Sequence, residues 1–380
     1  MTKYSESCRE ILSLMKARKN VLISGPPGTG KTTLLAEVAH AFQDLPTPAS
    51  PAASRPVIRP GSKVIPSGMT ATKSDSAEHE LTLPAANRSK RKVFQTVFHQ
   101  NMKYRDFVSG IIPSLKTPGQ FDVSEGLLLK ASEFAKQSDG ASLLIIDEIN
   151  RGPAVQIFGG SIVAMEWDKR LNPDNSPRPT TQFFELLHPS TGNQEPYAFP
   201  AHLYILAAMN QADVSVDALD VAFLRRWAPH RLVPSESALR DHLSLGKRSV
   251  LPETPTSVAD VYEALVQAWA MVNERIALGR GPEFQIGHGM IMSVATPSAP
   301  DLPTALAHLI ASWNLILAHL EEVFFADIRG VAAALNASEG SGGDGYVLAN
   351  MSFAGEPRNI LRRPDIQKDK VYKLLRSVIG

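Results

Sequence analysis

The stretch VLISGPPGTGKTTLLAEVAHAF, from Val21 to Phe42, constrains the fold more than any other part of the sequence. Its centre matches the pattern G-x-x-x-x-G-K-[ST], between a short apolar run and a segment with helical apolar spacing. Strand, glycine loop and helix in this order form a phosphate cradle, because backbone N–H groups and the helix N-terminus attract anions. A chance glycine turn before a helix is the alternative. Lys31 is expected to pair with the β- and γ-phosphates. We predict that a nucleotide contacts Gly25, Pro26, Pro27, Gly28, Thr29, Gly30, Lys31, Thr32 and Thr33.

A second stretch, SLLIIDEINRG from Ser142 to Gly152, supplies the acidic groups that such a loop needs. Ser142–Ile146 is predicted to be a buried parallel strand, and open α/β sheets bind their ligands at the carboxyl ends of strands. Asp147 is expected to hold Mg²⁺ together with Thr32, and Glu148 is expected to orient the attacking water. A solvated acidic turn is the alternative interpretation. The complete glycine loop upstream favours the metal and catalytic roles.

The composition excludes several classes of protein. The chain has 380 residues, 43% of them hydrophobic, and a formal net charge of +1. These values are typical of a soluble globular protein without a global attraction to nucleic acid or membranes. Cys8 is the only cysteine, so the chain has no intramolecular disulfide and no thiolate metal cluster. Because no signal-peptide core or apolar run of bilayer length is present, we expect a cytoplasmic protein.

The spacing of apolar segments predicts two domains. Residues 1–233 are predicted to form an αβα nucleotide-binding domain on a parallel sheet. Its strands are expected near Val21–Ser24, Val93–His99, Ser142–Ile146, His202–Ala208 and Pro229–Val233. Residues 234–380 are predicted to be a linker and a helical lid that moves over the nucleotide. The lid helices are expected near Val258–Ile276, Leu302–Leu320 and Asp369–Ile379.

Two segments of the first domain are less regular. Residues 44–92 are rich in proline, serine and alanine, which predicts an insertion that is disordered or a loosely attached loop. The insertion ends in the basic run Arg88–Lys92, interpreted either as a contact with DNA phosphates or an acidic partner, or as a solvated flank. We favour the solvated flank. Pro173–Pro200 is predicted to be a β-hairpin, either a partner contact or a structural element.

Further segments resemble, in order, the motifs of one known family. VFHQNMKYRDFVSGIIP (Val97–Pro113) resembles the FHxxxxYEDFxxGxxP stretch of the McrB family, the AAA+ motor subunits of modification-dependent restriction systems. DEINRG followed by VQIFGGSIVAMEWDKR is similar to its DEINRG…FGEL…LEDDKR segment, and HLYILAAMN resembles its sensor-1 strand. VNERI…FQIGHGMIM (Val272–Met292) resembles the lid signature ending in IGHSYF, and WNLILAHLEEVFF resembles a lid helix. The resemblance runs from Val21 to Phe325 and implies an AAA+ P-loop NTPase fold.

The resemblance also implies roles for residues that follow the fourth strand. Asn210 matches sensor 1, which addresses the γ-phosphate or the attacking water, and Asp213 of the same motif is expected to bind the nucleotide at its phosphate end. Arg225 and Arg226 match arginines that reach into the site of the neighbouring subunit, where an arginine contributes strongly to phosphoryl transfer. The alternative is that both arginines cap a helix C-terminus. The family pattern implies a homo-oligomeric ring, most often a hexamer, and leaves open which arginine acts.

The sequence does not determine whether the base of the nucleotide is adenine or guanine. The family pattern MNxxDRS is associated with GTP, and Val214 replaces its arginine in this sequence. Valine neither donates a hydrogen bond nor carries charge, so both ATP and GTP remain candidates. His288 in the lid signature is interpreted either as a nucleotide contact or as a core histidine.

The resemblance implies a Mg²⁺-dependent nucleoside triphosphatase that hydrolyses ATP or GTP to the diphosphate and phosphate. Such a protein would drive a McrC-like nuclease in antiviral defence against foreign DNA. Because the loop begins at residue 25, we expect no DNA-reading module in the chain and DNA contact only through partners. PDIQKDK (Pro364–Lys370) is interpreted as a turn and helix start, not as a nuclease core. Two alternatives are a MoxR-like ATPase that remodels proteins and a nucleotide-binding scaffold with little turnover.

Overall fold

The computed structural model describes residues 4–44, 83, 88–213, 219–297, 299–340, 345–367 and 370–380. The chain divides into two compact units. The first comprises Met1–Ile23, Thr32–Met209 and Val216–His230, and the second comprises Ser24–Lys31, Asn210–Ser215 and Arg231–Gly380. Most of the predicted insertion, and Val214, lie outside the described residues. The glycine loop therefore belongs to the second unit, although the segments on both sides of it belong to the first.

Along the chain, the helices of the first unit alternate with the strands of its central sheet, as the predicted αβα class requires. In chain order its elements are α1 (Glu6–Arg18), β1 (Asn20–Ser24), α2 (Lys31–Gln43), β2 (Lys90–Val97), α3 (Tyr104–Phe107), β3 (Ser109–Pro113), β4 (Phe121–Glu125), α4 (Leu127–Lys136), β5 (Gly140–Asp147), α5 (Ala154–Phe158), β6 (Phe184–Leu187), β7 (Gln194–Tyr197), β8 (Leu203–Met209), α6 (Val221–Leu224) and β9 (Ala228–Arg231).

Five strands form the central sheet, in the order β2-β5-β8-β1-β9. β2 pairs in parallel with β5, and β5 pairs in parallel with β8, so Phe94 lies beside Leu144 and Leu144 beside Ile205. β5 and β8 are buried over almost their whole length, as expected for strands covered on both faces. Each strand lies within a few residues of its predicted position. The predicted α/β class with a parallel central sheet is therefore confirmed.

An aromatic cluster fixes the short helix α6 to the body of the first unit. The ring of Phe158 lies 5.4 Å from that of Phe223 and 6.4 Å from that of Trp227, between ring centroids. Phe107 packs edge-on against Phe158 at 4.9 Å. Such pairs add stabilisation beyond the burial of their area. The packing sets the position of the two arginines that lie between Phe223 and Trp227.

The basic run Arg88–Lys92 belongs to the sheet. β2 begins within the run, and Arg88 is buried. The Arg88 guanidinium donates hydrogen bonds to the carbonyl oxygens of Gln137 (3.0 Å), Ser138 (2.7 Å) and Pro173 (2.7 Å). The interpretation of this run as a solvated flank is therefore wrong for Arg88, because its two terminal nitrogens donate to backbone carbonyl groups beside the sheet.

Two antiparallel hairpins extend from the first unit. β6 and β7 form the hairpin predicted within Pro173–Pro200, with Phe184 opposite Tyr197. Both rings are buried and contact Phe199, so this side of the hairpin is part of the core. The hairpin of β3 and β4 was not predicted. Its strands are short and carry few buried side chains, so their apolar pattern is weak.

The second unit is mainly helical, as predicted, and is packed around Trp269 and Trp313. None of the helices in the described ranges is long and apolar enough to cross a bilayer. Its small three-stranded sheet was not predicted, because its strands lack a regular alternation of apolar and polar residues. In chain order the elements are α7 (Glu236–His242), α8 (Val258–Gly279), α9 (His288–Met292), α10 (Leu302–Val323), α11 (Ile328–Ala334), β10 (Ser338–Glu339), β11 (Val347–Phe353), β12 (Glu356–Arg362) and α12 (Val371–Ile379).

The predicted linker is anchored by a buried ion pair. It contains α7, in which Arg240 lies 2.6 Å from a carboxylate oxygen of Glu263 on α8. Arg240 also contacts Glu236 at 2.8 Å, and the Gln267 amide donates to Glu263 at 2.6 Å. Both partners of the ion pair are buried, which gives the pair a fixed geometry. The segment after β9 is therefore an ordered part of the second unit.

Candidate functional site

The glycine loop leaves the end of β1 and leads directly into α2, as the motif predicts. Gly28 and Gly30 have φ angles of +75° and +84°, in the left-handed region that favours glycine. α2 begins at Lys31 and spans 13 residues, so the loop ends at the N-terminus of a full-length helix. Free backbone N–H groups and the positive end of the helix dipole occur there together. The geometry is that of a phosphate cradle.

The side chains of the loop hold it in this form. Lys31 Nζ donates hydrogen bonds to the carbonyl oxygens of Gly25 (2.8 Å) and Pro26 (2.9 Å). The buried hydroxyl of Thr29 donates to the same Pro26 oxygen at 2.8 Å. These bonds place the ammonium group of the lysine against the loop. Among the remaining predicted contacts, Pro27 is half-buried and the threonines that follow Lys31 in α2 are exposed: Thr32 and Thr33.

The lid signature contacts the glycine loop through backbone hydrogen bonds. The N–H of Gly287 donates to the Pro27 carbonyl at 2.9 Å, and the N–H of Gly289 donates to the Gly28 carbonyl at 2.8 Å. The approach is so close that a Cβ atom on Gly287 would lie 2.1 Å from the Gly28 carbonyl carbon. A Cβ on Gly28 would lie 2.6 Å from Met290 Cγ. The sequence pointed to this segment as a lid signature but gave no sign that its glycines meet the loop.

His288 lies between these two glycines in the sequence, but its ring contacts a different segment, at Ser235. Its Nδ1 accepts a hydrogen bond from the Ser235 N–H at 3.2 Å. Burial lowers the pKa of the imidazole, which favours its neutral form. A ring that accepts at Nδ1 carries its proton on Nε2. His288 therefore joins the start of α7 to α9, which favours the interpretation as a core histidine.

Asp147 and Glu148 form the acidic end of β5. The Glu148 N–H donates to Asp147 Oδ1 at 2.9 Å. Glu148 has φ 52° and ψ 45°, a left-handed conformation that is unfavourable for a residue with a side chain. Its Oε2 atom is buried and accepts no hydrogen bond, although Arg151 Nε lies 3.4 Å away as an ion-pair partner. Backbone strain and an unsatisfied carboxylate oxygen are typical of a functional residue.

The donor chemistry fits a magnesium ion. The Thr32 hydroxyl is exposed at the first turn of α2, and the Asp147 carboxylate is half-buried at the end of its strand. Both are hard oxygen ligands, which Mg²⁺ prefers, and it commonly takes one or two of them together with phosphates and water. Within the described ranges no three His, Cys, Asp or Glu side chains gather to form a metal cage.

Asn210 and Asp213 follow the end of β8. Asn210 Oδ1 accepts a hydrogen bond from the Ala212 N–H at 3.3 Å, which turns the chain directly after the strand. Both side chains are half-buried. Because β8 lies between β5 and β1, the glycine loop, Asp147 and Asn210 follow the ends of three neighbouring strands. This is the edge at which open α/β sheets bind ligands.

Arg225 and Arg226 have different surroundings. The Arg226 side chain is 9% exposed, donates to the Ile162 carbonyl at 3.0 Å, and lies 3.4 Å from Glu166. It also donates to the Ala222 carbonyl. Arg225 is exposed, and its side chain makes no hydrogen bond or ion pair with any residue that the structure describes. The geometry therefore separates two arginines that the sequence left equivalent.

Three comparisons relate the chain to known proteins. Residues 14–158 match a family model described as an AAA domain. The chain is 26% identical over 319 residues to the type IV methyl-directed restriction enzyme EcoKMcrB subunit of Escherichia coli K12, which covers 83% of this chain and 56% of that protein. It is 29% identical over 212 residues to the type II restriction enzyme BsuMI component YdiS of Bacillus subtilis 168, which covers 55% of this chain and 56% of that protein.

The chain thus spans little more than half the length of these relatives. The solved structure of C. elegans PCH-2 is also similar, with 12% identity, a TM-score of 0.35, and coverage of 82% of this chain and 67% of that one. That likeness is too loose to inform the site. The AAA domain match, the two restriction-enzyme relatives and the order of strands in the sheet agree with one another. The chain has the AAA+ fold and is similar to the McrB type of restriction subunit.

Proposed function

We propose that the chain is a Mg²⁺-dependent nucleoside triphosphatase that hydrolyses ATP or GTP to the diphosphate and phosphate. The observation that carries the proposal is the sheet order, in which the glycine loop, Asn210 and Asp147–Glu148 follow three neighbouring strands. Phosphoryl transfer needs positioning and charge stabilisation more than covalent chemistry, and these are the groups that supply both.

The residues divide the work as follows. Backbone N–H groups of the loop and the Lys31 ammonium bind the phosphate oxygens, and the helix dipole of α2 adds positive charge. Thr32 and Asp147 would hold the magnesium ion, which neutralises charge on the β- and γ-phosphates. Glu148 orients the water that attacks the γ-phosphate and polarises its O–H bond. Asn210 addresses the same water or the γ-phosphate from the end of β8.

Arg225 is the arginine that acts on a neighbouring subunit, in this proposal. A side chain that reaches into another subunit must be exposed on its own and free of internal partners, and Arg225 meets both conditions among the residues that the structure describes. Arg226 is committed to Ile162 and Glu166. The proposal therefore requires an oligomer, and a closed ring satisfies each site with an arginine from the next copy.

We further propose that the ring serves a restriction system, with a McrC-like nuclease as partner and with DNA contacted through partners. The two relatives named as restriction-enzyme components support this role. They are longer than this chain, so activities of their remaining parts are not carried over. A MoxR-like remodelling ATPase and a scaffold with little turnover are the competing outcomes.

The test is steady-state phosphate release with ATP and with GTP, each with and without a nuclease encoded beside the gene. Lys31→Ala should abolish nucleotide binding, whereas Glu148→Gln should keep binding and lower turnover by at least about 10²-fold. Lys130→Ala, at an exposed lysine of α4, is the matched control and should behave as wild type. Turnover by Glu148→Gln at the wild-type rate would contradict the assignment of the catalytic base. A rate of phosphate release that is the same with and without the nuclease would favour the remodelling ATPase.

A further inference from the structure

A buried asparagine in the second unit connects the helical region to the lid signature. Asn273 lies within α8 and is 4% exposed. Asparagine is a poor helix former, and a buried amide destabilises a core unless its donors and its acceptor are hydrogen-bonded. An apolar residue is the ordinary occupant of such a position. The hydrogen bonds of Asn273 therefore indicate what the residue does.

Both polar ends of the Asn273 amide contact one residue of the lid signature. The Ile286 N–H donates to Asn273 Oδ1 at 2.6 Å, and Asn273 Nδ2 donates to the Ile286 carbonyl at 2.9 Å. Trp269, one turn earlier on the same face of α8, donates from Nε1 to the same carbonyl at 3.0 Å. The Gln285 side chain donates to the Asn273 carbonyl at 3.2 Å. Because Ile286 is fully buried, these bonds satisfy backbone groups that water does not reach.

The lid signature in turn orients two peptide groups of the glycine loop. The Gly287 N–H donates to the Pro27 carbonyl, and the Gly289 N–H donates to the Gly28 carbonyl. A trans peptide group is planar, so its carbonyl and the N–H of the next residue point in opposite directions. The two hydrogen bonds therefore turn the N–H groups of Gly28 and Thr29 away from the lid signature. Backbone N–H groups of such a loop are the groups that bind phosphate.

The contact between lid signature and loop leaves no room for displacement. A Cβ atom on Gly287 would lie 2.4 Å from the Pro27 carbonyl oxygen and 2.3 Å from the Gly28 carbonyl oxygen. Groups packed this closely transmit small displacements, because protein interiors are hardly compressible. A shift of Ile286 therefore reaches the glycine loop across a single peptide bond.

From this geometry we propose that Asn273 is a positioning residue for nucleotide binding. It holds Ile286 in place, and through Ile286 it sets the positions of Gly287 and Gly289 and the direction of the N–H groups of the glycine loop. The proposal rests on the proposed function, because it requires this loop to bind a nucleotide. Asn273 acts through the lid signature alone and does not contact the nucleotide.

Asn273→Asp tests the hydrogen bonds while it keeps the size of the side chain. Its carboxylate accepts from the Ile286 N–H, but its second oxygen faces the Ile286 carbonyl oxygen and repels it. At about pH 8 we expect the affinity for fluorescent analogues of ATP and GTP to fall at least about tenfold. A protonated carboxyl restores a donor, and burial favours the protonated form. The ratio of wild-type to variant affinity should therefore approach one as the pH falls to about 5.5.

Two controls accompany the titrations. Wild type is measured at each pH, because titration of His288 and His319 in the same region affects both proteins. Gln267→Glu is the matched variant, since it makes the same change from amide to carboxylate in a buried side chain of α8. The hydrogen bonds that the Gln267 amide donates within the described ranges go to Ser249 and Glu263. We expect Gln267→Glu to lower the melting temperature and to keep the wild-type affinity for nucleotide.

Hydrogen exchange supplies a measurement that needs no nucleotide. The amides of Gly287 and Gly289 should exchange faster in Asn273→Asp than in wild type, and at the wild-type rate in Gln267→Glu. If wild type binds neither nucleotide, the proposed function is contradicted, and the exchange rates still decide whether Asn273 positions the lid signature.

The role of Asn273 is overturned if exchange at these two glycines is unchanged, or if wild type binds nucleotide and Asn273→Asp binds it as tightly at every pH. Trp269→Phe is the second variant, for use if Asn273→Asp does not fold. It removes one hydrogen bond to the Ile286 carbonyl and keeps an aromatic ring, so it should produce a smaller increase in the same exchange rates. Unchanged exchange in Trp269→Phe would then contradict the proposal.

Discussion

At the end of α6 two arginines occupy successive positions, and only their surroundings distinguish them. The Arg226 side chain is 9% exposed and contacts Ile162 and Glu166, whereas Arg225 is exposed. The sequence predicted the positions of the glycine loop before α2 and of the Asp147–Glu148 pair at the end of β5, because each motif is a contiguous run with its own local geometry. Their roles in binding and catalysis stay predictions. The sequence left the arginines equivalent, since their orientation depends on the packing of Phe223 and Trp227 against residues distant in the chain.

The first prediction separates the two arginines. Arg225→Ala should lower kcat by about 10³-fold or more, because a missing arginine finger removes stabilisation of the transition state only. Its melting temperature should stay at the wild-type value. Arg226→Ala should instead lower the melting temperature, since it leaves the partly buried Ile162 carbonyl oxygen and Glu166 without their partner, a loss of about 1 kcal/mol. Phosphate release and a thermal melt of each variant decide between the roles, and the reverse pattern would assign the finger to Arg226.

Helix α7 lies in a segment that the sequence analysis predicted to be a linker, without a helix. Val233–Ser257 is rich in proline, serine and charged residues, which predicts a linker. The structure anchors it through Arg240, which forms a buried ion pair with Glu263. A charge pair that forms only on folding leaves no trace in apolar periodicity. The small sheet of the second unit was missed for a similar reason, because its strands are mostly exposed at one end.

The second prediction concerns the pH dependence of this ion pair. Burial alone would raise the pKa of Glu263, but hydrogen bonds from Arg240 and Gln267 and the charge of Arg240 outweigh it, so the pKa is lowered. A lowered carboxyl pKa stabilises the fold above the ordinary value of 4.5, and the stabilisation is lost as the pH falls through the folded value. Glu263→Gln should therefore cost about 3 kcal/mol at pH 7.

The measurement is chemical denaturation of wild type and Glu263→Gln at a series of pH values. The difference between their free energies of unfolding should be largest at neutral pH and should narrow below about pH 4.5, as the wild-type carboxylate becomes protonated. Glu253→Gln, at an exposed carboxylate of the same region, serves as the control. A difference that stays constant across the series would contradict the charge-based role of Glu263.

At the scale of the molecule, the two units interleave along the chain. Ser24–Lys31 belongs to the second unit, although the chain before and after it belongs to the first. Hydrogen bonds from Gly287 and Gly289 connect it to the helical region of the second unit. The sequence predicted a boundary near residue 233 because apolar patterning changes there. It did not predict that the glycine loop packs with the lid signature, since contacts between backbones of glycines have no compositional signal.

The third prediction tests the contact between the loop and the lid signature. Gly28→Ala places a Cβ 2.6 Å from Met290 Cγ and must also adopt a positive φ, so the loop shifts and nucleotide affinity should fall at least about tenfold. Gly119→Ala is the matched control: its φ is +82°, and a Cβ there meets nothing within 4 Å. The left-handed backbone destabilises each variant by roughly 1–2 kcal/mol, and only Gly28→Ala adds the clash.

Affinity is measured by titration with a fluorescent nucleotide analogue. Gly28→Ala combined with Met290→Ala should recover part of the lost affinity, because the smaller side chain removes the nearest atom from the clash. Equal affinities for Gly28→Ala and Gly119→Ala would contradict the prediction, because they would mean that neither the positive φ nor the contact with the lid signature at Gly28 matters for nucleotide binding.

The interleaving of the units bears on how such a protein can be inherited. A lid encoded by one contiguous stretch of a gene can be exchanged between homologues by a single recombination. Here the second unit is encoded in three separate stretches, one of which is the glycine loop itself. Exchange of residues after 231 alone would pair a foreign lid signature with the resident loop at glycines that tolerate no added atom. We therefore expect the glycine loop and the lid signature to be exchanged together during evolution. A chimaera that combines them from different homologues should lose the contact between these glycines before other contacts of the fold.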